Sequence, residues 1–190
     1  IEQWVYLNEF WANDGTANEW FGEQIDMSGD YVVVGLQKDD PNGSNSGSAY
    51  IFQRNIGTWI QKAKLIPSDG STDYLYGSAV GISIDTVVIG ARWDWNTTAH
   101  SGSAYVYRGS GASWSLEQKI YDVAGASHWD NFGCAVAIEG DTTVIGAWGD
   151  DDNGTDFGSA YVYTRTGSTW YLEPKLFDSD GGQYDECGGA

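Results

Sequence analysis

A unit of about 55 residues recurs along the chain, and this internal repeat constrains the fold more than any other feature of the sequence. A Gly-Ser-Ala-Tyr tetrapeptide begins at Gly47, Gly102 and Gly158, at spacings of 55 and 56 residues. Three further series keep the same period. They are the tryptophans Trp4, Trp59, Trp114 and Trp170, the dipeptides Phe21-Gly22, Tyr76-Gly77, Phe132-Gly133 and Cys187-Gly188, and the glycines Gly35, Gly90 and Gly146. Four markers with one period indicate at least three tandem copies of one structural unit.

Each copy has the pattern of four short strands. In the second copy the alternation of small or apolar residues with aromatic or polar ones predicts strands at 77–84, 87–91, 103–108 and 114–121. Four antiparallel strands of this length are typical of a β-propeller blade. A single blade cannot bury both of its faces, so the blades are expected to stack face to face. The repeated glycines and tryptophans are therefore interpreted as packing residues.

The fold class predicted is all-β, a β-propeller built from four-stranded antiparallel blades. We place a closing fourth strand at 3–11, three full blades at about 20–66, 76–121 and 131–177, and the start of a fourth blade at 186–190. Because propellers generally have about four to eight blades, we expect this segment to be part of a ring of roughly six to eight, completed by further blades or by other chains. The sequence starts at Ile1 without a leader, which suggests a processed or excised piece.

The net charge of the chain limits the classes of partner that are expected. The formal net charge is −18, from nine Lys and Arg against 27 Asp and Glu. Phosphate binding needs clustered basic residues, so nucleic acid is not an expected partner. An acidic surface suits a saline exterior or divalent cations. No apolar run approaches the roughly 18 residues that span a bilayer, so we expect no membrane span.

Three motifs that follow one another in each copy resemble FG-GAP repeats, which are found in integrin α-subunit propellers and in many secreted proteins. In the third copy the motifs are Phe132-Gly133-x-Ala135-Val136-Ala137-Ile138, then Val144-Ile145-Gly146-Ala147, then Gly158-Ser159-Ala160-Tyr161-Val162-Tyr163. The second copy has Tyr76 for phenylalanine, and the first has Leu36 where alanine is expected. The resemblance implies a propeller with extracellular adhesive or ligand-binding roles.

One property of integrin-type blades does not carry over. Those blades often hold calcium in an Asp-rich loop between their first and second strands. In this chain the corresponding connections are very short, at residues 28–30, 85–86 and 140–141. The resemblance therefore does not bring calcium sites to these positions.

The loop between the second and third strands varies from copy to copy. Every copy has an Asp at the same position, namely Asp39, Asp94 and Asp150. Every copy also contains an N-x-S/T sequon, at Asn42, Asn96 and Asn153, which predicts glycosylation on one face of the propeller. The alternative is that Asn-Gly at residues 42–43 and 153–154 serves only as turn chemistry. That alternative does not account for Asn96.

The third of these loops has closely spaced carboxylates. Asp150, Asp152 and Asp156 offer the hard oxygen ligands that calcium prefers, so calcium is a candidate cofactor. The alternative is a solvated acidic loop. The two cysteines, Cys134 and Cys187, lie on neighbouring first strands at positions of the same parity, so their side chains are expected to point in the same sense around the ring. Partners elsewhere and buried free thiols both remain open for them.

Four tryptophans fall outside the repeated series: Trp93, Trp95, Trp129 and Trp148. Packing of the scaffold does not explain them, and exposed tryptophans are suited to stacking on a ligand. The sequence contains no catalytic motif. We therefore predict a non-enzymatic extracellular module of the structural or adhesion class, which binds a protein or glycan at the cell surface or assembles with itself into a larger structure or filament. The alternatives are a glycan-binding, lectin-like propeller and an accessory domain of a secreted hydrolase.

Overall fold

The computed structural model describes residues 9–95, 100–122, 127–152, 154–178 and 187–189, and these residues form strands and turns only. No helix among them has the length and apolarity needed to cross a membrane. The all-β prediction is confirmed. The strands are β1 (Gln24–Ser28), β2 (Tyr31–Leu36), β3 (Ser48–Asn55), β4 (Thr58–Leu65), β5 (Tyr76–Ser83), β6 (Thr86–Ala91), β7 (Ser103–Ser110), β8 (Ser113–Ile120), β9 (Ala135–Glu139), β10 (Thr142–Ala147), β11 (Ser159–Thr166) and β12 (Thr169–Leu172).

The strands form three four-stranded sheets, in the orders β1-β2-β3-β4, β5-β6-β7-β8 and β9-β10-β11-β12. Every neighbouring pair is antiparallel. The sheets stack in chain order, since β5 contacts β1 and β2 of the sheet before it and β9 contacts β5 and β6. These are the blades of a β-propeller, as the repeat predicts, and we call them blades 1, 2 and 3.

The predicted strand limits in blade 2 differ from the observed ones by one or two residues. The largest difference is in the third strand, which was predicted to end at Arg108 and ends at Ser110. Gly109 pairs with Trp114 and Ser110 with Ser113, so the hairpin turns within two residues rather than four. Gly111 has a φ of 55°, in the left-handed region that a two-residue hairpin turn requires.

Alternate residues of each blade face opposite neighbours, and apolar layers fill the space between blades. Val33 and Ile51 of blade 1 pack with Val80 and Ile82 of blade 2 in one layer. A second layer joins blade 2 to blade 3, and includes Val88, Val106, Val136 and Ile138. Full burial of each such side chain contributes roughly 1.5–3 kcal/mol. The blades are thus held together by the period-two alternation visible in the sequence.

In blade 1 the equivalent side chains are more exposed, because no preceding blade packs against them among the described residues. Ile25 and Met27 are each 59% exposed, whereas Val80 and Ile82, at the same positions of blade 2, are 8% and 4% exposed. Phe10 lies one period before Leu65 and packs against Phe52 at a ring distance of 4.7 Å. The described part of the predicted closing strand, residues 9–11, carries no strand, and residues 1–8 lie outside the described part of the chain.

The repeated glycines mark the closest approach between blades. A Cβ placed on Gly90 of β6 would lie 1.9 Å from the carbonyl oxygen of Gly133, at the start of the next blade. Gly35 and Gly146 meet the carbonyls of Gly77 and Gly188 in the same way, at 2.2 Å and 1.9 Å. Backbone contacts backbone here, so no side-chain adjustment makes room for a methyl group. This steric constraint explains why the residue recurs in every copy.

Gly90→Ala is expected to lower the free energy of unfolding by about 3 kcal/mol, because the methyl group forces two blades apart at a well-packed contact. Equilibrium denaturation in guanidinium chloride measures the change. Gly111→Asn is the control, since that turn is open and Asn tolerates a positive φ. If both variants lose the same amount, the contact between blades is not the cause.

Candidate functional site

Two kinds of loop lie together along one edge of the stacked blades. Segments 68–75 and 122–131 each connect the fourth strand of one blade to the first strand of the next, and segment 13–22 leads into the first strand of blade 1. Segments 37–47, 92–102 and 148–158 connect the second and third strands within a blade. Backbone hydrogen bonds join the two kinds, for example from Asp73 N–H to the Ser44 carbonyl at 2.8 Å. We call this surface the loop edge, and the candidate site residues that it carries are Asn42, Trp93, Trp95, Trp129, Trp148, Asp150, Asp152 and Asp156.

The repeated Asp of the loop edge belongs to a buried ion-pair cluster. In blade 2, the Lys119 Nζ lies 2.7 Å from Asp94 Oδ2 and 2.5 Å from Asp69 Oδ2. The Tyr105 hydroxyl lies 3.0 Å from an oxygen of each carboxylate. Asp94 itself is fully buried. The equivalent residues in blade 1 are Asp39, Lys64, Tyr50 and Asp14. In blade 3 Lys175 pairs with Asp150 and Asp152, and the Tyr161 hydroxyl donates to Asp150 and Asp122. We call each of these clusters a lysine node.

The lysine nodes hold their charges at neutral pH. Burial is the largest single influence and acts to raise the pKa of Asp69 and Asp150, but the hydrogen bond and charge of the lysine, together with the hydrogen bond of the tyrosine and a backbone hydrogen bond, outweigh it, and the pKa of both is lowered. Burial acts in the opposite direction on Lys119 and Lys175, and the two facing carboxylates outweigh it, so the pKa of each lysine is raised. In these nodes the shifts favour the charged forms of the lysine and its carboxylates, and the resulting ion pairs tie the loop edge to the blade.

The candidate metal ligands meet in the node of blade 3. Ligand oxygens of Asp122, Asp150 and Asp152 lie within 4.8 Å of one another, so three acidic residues here are placed to hold a metal ion. Asp122 was not predicted, and Asp156 is not in the cluster: its N–H donates to Asp151 Oδ1 instead. The Lys175 ammonium lies 2.5 Å from Asp150 and 2.7 Å from Asp152. The positive charge of Lys175 therefore already lies beside two of these three carboxylates.

The sequons and the cysteines have the following places. Asn42 is exposed on the loop edge and its Nδ2 donates to the Pro67 carbonyl at 2.9 Å. Asn96 and Asn153 lie outside the described residues.

Both cysteines are free thiols, and Cys134 Sγ donates to the carbonyl oxygen of Gly188 at 3.4 Å. Burial raises the pKa of the Cys134 thiol, which keeps it protonated at neutral pH.

The loop edge contains two clefts that occupy the same place in successive blades. The blade-1 cleft has a volume of about 410 Å³ and lies between residues 16–20 and the segment that carries Lys38, Asp40 and Asn45. The blade-2 cleft has a volume of about 550 Å³ and lies between residues 71–74 and the segment that carries Trp93, Trp95 and His100. Both volumes fall within the range of about 300–1,000 Å³ that is usual for small-ligand pockets.

The aromatic residues of the blade-2 cleft are held in fixed relative positions. His100 stacks on Trp129 at a ring distance of 4.0 Å, and contacts the rings of Trp93 and Trp95 edge-on at 5.1 Å and 5.4 Å. Trp93 Nε1 donates to Asn131 Oδ1 at 3.2 Å. Trp95 is 58% exposed and Trp129 is 51% exposed. The structure thus brings three of the four unrepeated tryptophans together and leaves large parts of two of them open to a ligand.

The other unrepeated tryptophan has a different environment. Trp148 is half-buried and makes no ring contact with these aromatics among the described residues; its backbone is hydrogen-bonded to Cys134. Asp130, next to Trp129, was not singled out from sequence. Burial raises its pKa to about 7, and the nearby carboxylate of Asp150 adds to the effect. Above that pH its charge opposes folding, the reverse of the effect of Asp69 and Asp150.

Lys119→Met is expected to lower the free energy of unfolding by about 3 kcal/mol, because it leaves the buried Asp94 carboxylate without its counter-charge. Denaturant titration at neutral pH measures this loss. Arg54→Met is the matched control, since Arg54 pairs with Asp30 at an exposed position, where an ion pair contributes about 0–1 kcal/mol. Equal losses for the two variants would contradict the structural role of the node.

The same variant is expected to change the response to acid. A carboxyl whose pKa is lowered by folding contributes stability above its unfolded pKa, and this stability is lost as the pH falls through the folded value. Asp69 has an ordinary value of 3.8 and is lowered by Lys119. The wild type should therefore lose more stability below about pH 4 than Lys119→Met does. Denaturation at a series of pH values measures whether the wild type or Lys119→Met loses more stability in acid.

The comparisons with known proteins agree with the architecture. A family described as FG-GAP repeat matches residues 4–52, 59–107 and 114–163, which together make up most of the chain. No curated protein gives a significant match. The matched units begin at Trp4, Trp59 and Trp114, three of the tryptophans that define the period. The chain belongs to the FG-GAP repeat family.

Proposed function

We propose that this chain is a non-enzymatic module of an extracellular or cell-surface protein, of the adhesion or structural class, that binds its partner at the loop edge. FG-GAP repeats form propeller modules that are often extracellular and adhesive, which supports the class. The observation that carries the proposal is the pair of clefts at equivalent positions of blades 1 and 2, which differ in their lining. A scaffold that repeats while its clefts vary is suited to recognition.

The lysine nodes support a non-enzymatic role. A general acid or base needs a carboxyl that is free to exchange protons with a substrate. The repeated carboxylates of the loop edge are instead bound to lysine, with Nζ–oxygen distances of 2.5–2.8 Å. These acids are occupied in holding the scaffold. The exposed aromatic surface of Trp95 and Trp129 is the part of the loop edge that remains available to a partner.

Beads coated with the chain should be retained on preparations of cell surface and extracellular matrix, and Trp20→Ala/Trp95→Ala should reduce that retention. Trp20 and Trp95 belong to the two clefts and are exposed. The control is Ile56→Ser/Ile84→Ser, which removes two exposed apolar side chains from hairpin turns between strands, away from the clefts. Retention that both double variants reduce equally, or turnover of chromogenic glycoside, ester or peptide substrates, would overturn the proposal.

We infer a second role for the node of blade 3, in which calcium competes with Lys175 for the three carboxylates. The oxygens of Asp122, Asp150 and Asp152 suit calcium in type and spacing. Calcium takes about six to eight oxygen ligands, however, and the Lys175 ammonium lies within hydrogen-bonding distance of two of these carboxylates. Calcium is therefore expected to bind weakly while this lysine is present.

Lys175→Met is expected to make the thermal unfolding midpoint rise on addition of millimolar calcium, because a ligand that binds only the folded state stabilises it. The wild type should respond much less. The matched control is Lys119→Met, whose node brings only the carboxylates of Asp69 and Asp94 to the lysine. A wild-type midpoint that rises as far as that of Lys175→Met would show that the lysine does not compete, and an unresponsive Lys175→Met would remove calcium as a ligand.

A further inference from the structure

The two clefts of the loop edge correspond residue by residue. Residues 16–20 of the blade-1 cleft precede residues 71–75 by one period of 55 residues. On the opposite wall Lys38, Asp40 and Asn45 correspond to Trp93, Trp95 and His100 at the same spacing. The backbone conformation is also shared: Asn45 and His100 have φ values of 51° and 59°. One cleft therefore occurs twice, and three polar or charged positions of the first are aromatic in the second.

The aromatic side chains of the blade-2 cleft are not needed for its construction. The blade-1 cleft occupies the equivalent position, with the same sign of φ at Asn45 as at His100, without them. Burying aromatic side chains is the usual reason to place them in a fold, but Trp95 is 58% exposed. A bulky residue is also uncommon at positive φ, and Trp129, which supports His100 from behind, has a φ of 73°. Exposed aromatic surface on a strained backbone indicates a binding surface.

The lining of the blade-2 cleft combines flat apolar surface with hydroxyl and carboxylate groups. Trp93, Trp95 and His100 supply the aromatic wall, and Ser71, Thr72 and Asp73 supply the polar wall. Asp73 Oδ1 accepts a hydrogen bond from Asn45 Nδ2 at 2.8 Å, which fixes the carboxylate in place. A pyranose ring has the same two characters, since its C–H face is apolar and its rim carries hydroxyls. Tryptophan presents a large apolar face with little entropy to lose.

The charge of the cleft restricts which carbohydrates fit. Asp73 lies on its polar wall, and the chain as a whole carries a net charge of −18. The lysine of the blade-1 cleft, Lys38, is replaced here by Trp93. Arg92 lies over the ring of Trp93 at 5.8 Å, but its guanidinium donates to Gln37 and it does not line the cleft. A sialylated or sulfated glycan would therefore meet the Asp73 carboxylate with no lysine or arginine among the lining residues to compensate it. An uncharged sugar meets no such repulsion.

The geometry points to the blade-2 cleft as a binding site for neutral glycans, in which a pyranose ring stacks on Trp95 and its hydroxyls hydrogen-bond to the wall formed by residues 71–73. This inference rests on the proposed function, because it names the ligand class of one part of the loop edge. The blade-1 cleft, with Lys38 over the ring of Trp20 at 3.3 Å, has its aromatic face covered and does not take the same ligand.

An array of neutral, sialylated and sulfated glycans, followed by isothermal titration calorimetry with the strongest neutral binder, tests the assignment. The wild type should bind neutral glycans in preference to acidic ones. Trp95→Asp, which gives the cleft the residue found at the same position of blade 1, should weaken binding about tenfold or more. Trp95→Phe should retain part of the affinity, since it keeps an aromatic face. Because Trp95 is exposed, neither change should alter the thermal midpoint.

The controls are Asp40→Ala, at the matching position of the blade-1 cleft, and Trp11→Ala, an exposed tryptophan outside both clefts. Neither should change the affinity. Binding of no neutral glycan, a preference for acidic glycans, or equal affinity in Trp95→Asp overturns the assignment. If no glycan binds but beads coated with Trp20→Ala/Trp95→Ala are still retained less than wild-type beads, the glycan assignment fails and the loop edge remains the binding surface for another partner. Loss of neither signal removes both proposals.

Discussion

The rest of the structure depends on the contact between the backbones of neighbouring blades at Gly90 and Gly133 and at its two equivalents. A carbonyl oxygen of one blade lies where a Cβ of the other would be, so the blades approach at a distance that only glycine allows. This contact sets the offset between successive sheets. The apolar layers then interdigitate in a fixed way, and the connecting loops are brought to one edge at regular positions. Two clefts at equivalent positions of successive blades result from the same constraint.

Ion pairs between lysine and aspartate add to apolar packing in holding the loop edge together. A chain with 27 acidic and nine basic residues has few cations with which to neutralise buried carboxylates. Two of its lysines, Lys64 and Lys119, are each placed between two Asp residues from different loops, whereas Lys175 pairs with Asp150 and Asp152 of one loop. Lys64 and Lys119 each join a loop within a blade to the segment that leads into that blade. The acidic character of the surface is thereby made compatible with close packing of the loops on which it lies.

The scaffold was predictable from sequence, because packing residues repeat and repetition is visible in one sequence. The repeat period alone predicted that Gly90 and Trp114 are packing residues, and the structure places both at packed contacts. The lysine nodes carried the same signal, since Lys64, Lys119 and Lys175 follow the period, and attention to charged residues would have found them. Asp122 was missed because it lies 53 residues after Asp69 (122 − 69) and so does not follow the 55-residue period. The blade-2 cleft was only partly predictable, since Trp93, Trp95 and Trp129 come from loops of different blades that only the stacking brings together.

The family repeat and the structural blade are out of phase. The matched units 59–107 and 114–163 each begin on the fourth strand of one blade and end on the third strand of the next. A unit of this kind is a joint between two blades, and no unit folds into a blade of its own. Genetic gain or loss of one whole unit therefore leaves every blade with four strands and every lysine node with its partners. Propellers of this family can change in size by recombination without an intermediate that exposes an unpaired sheet edge.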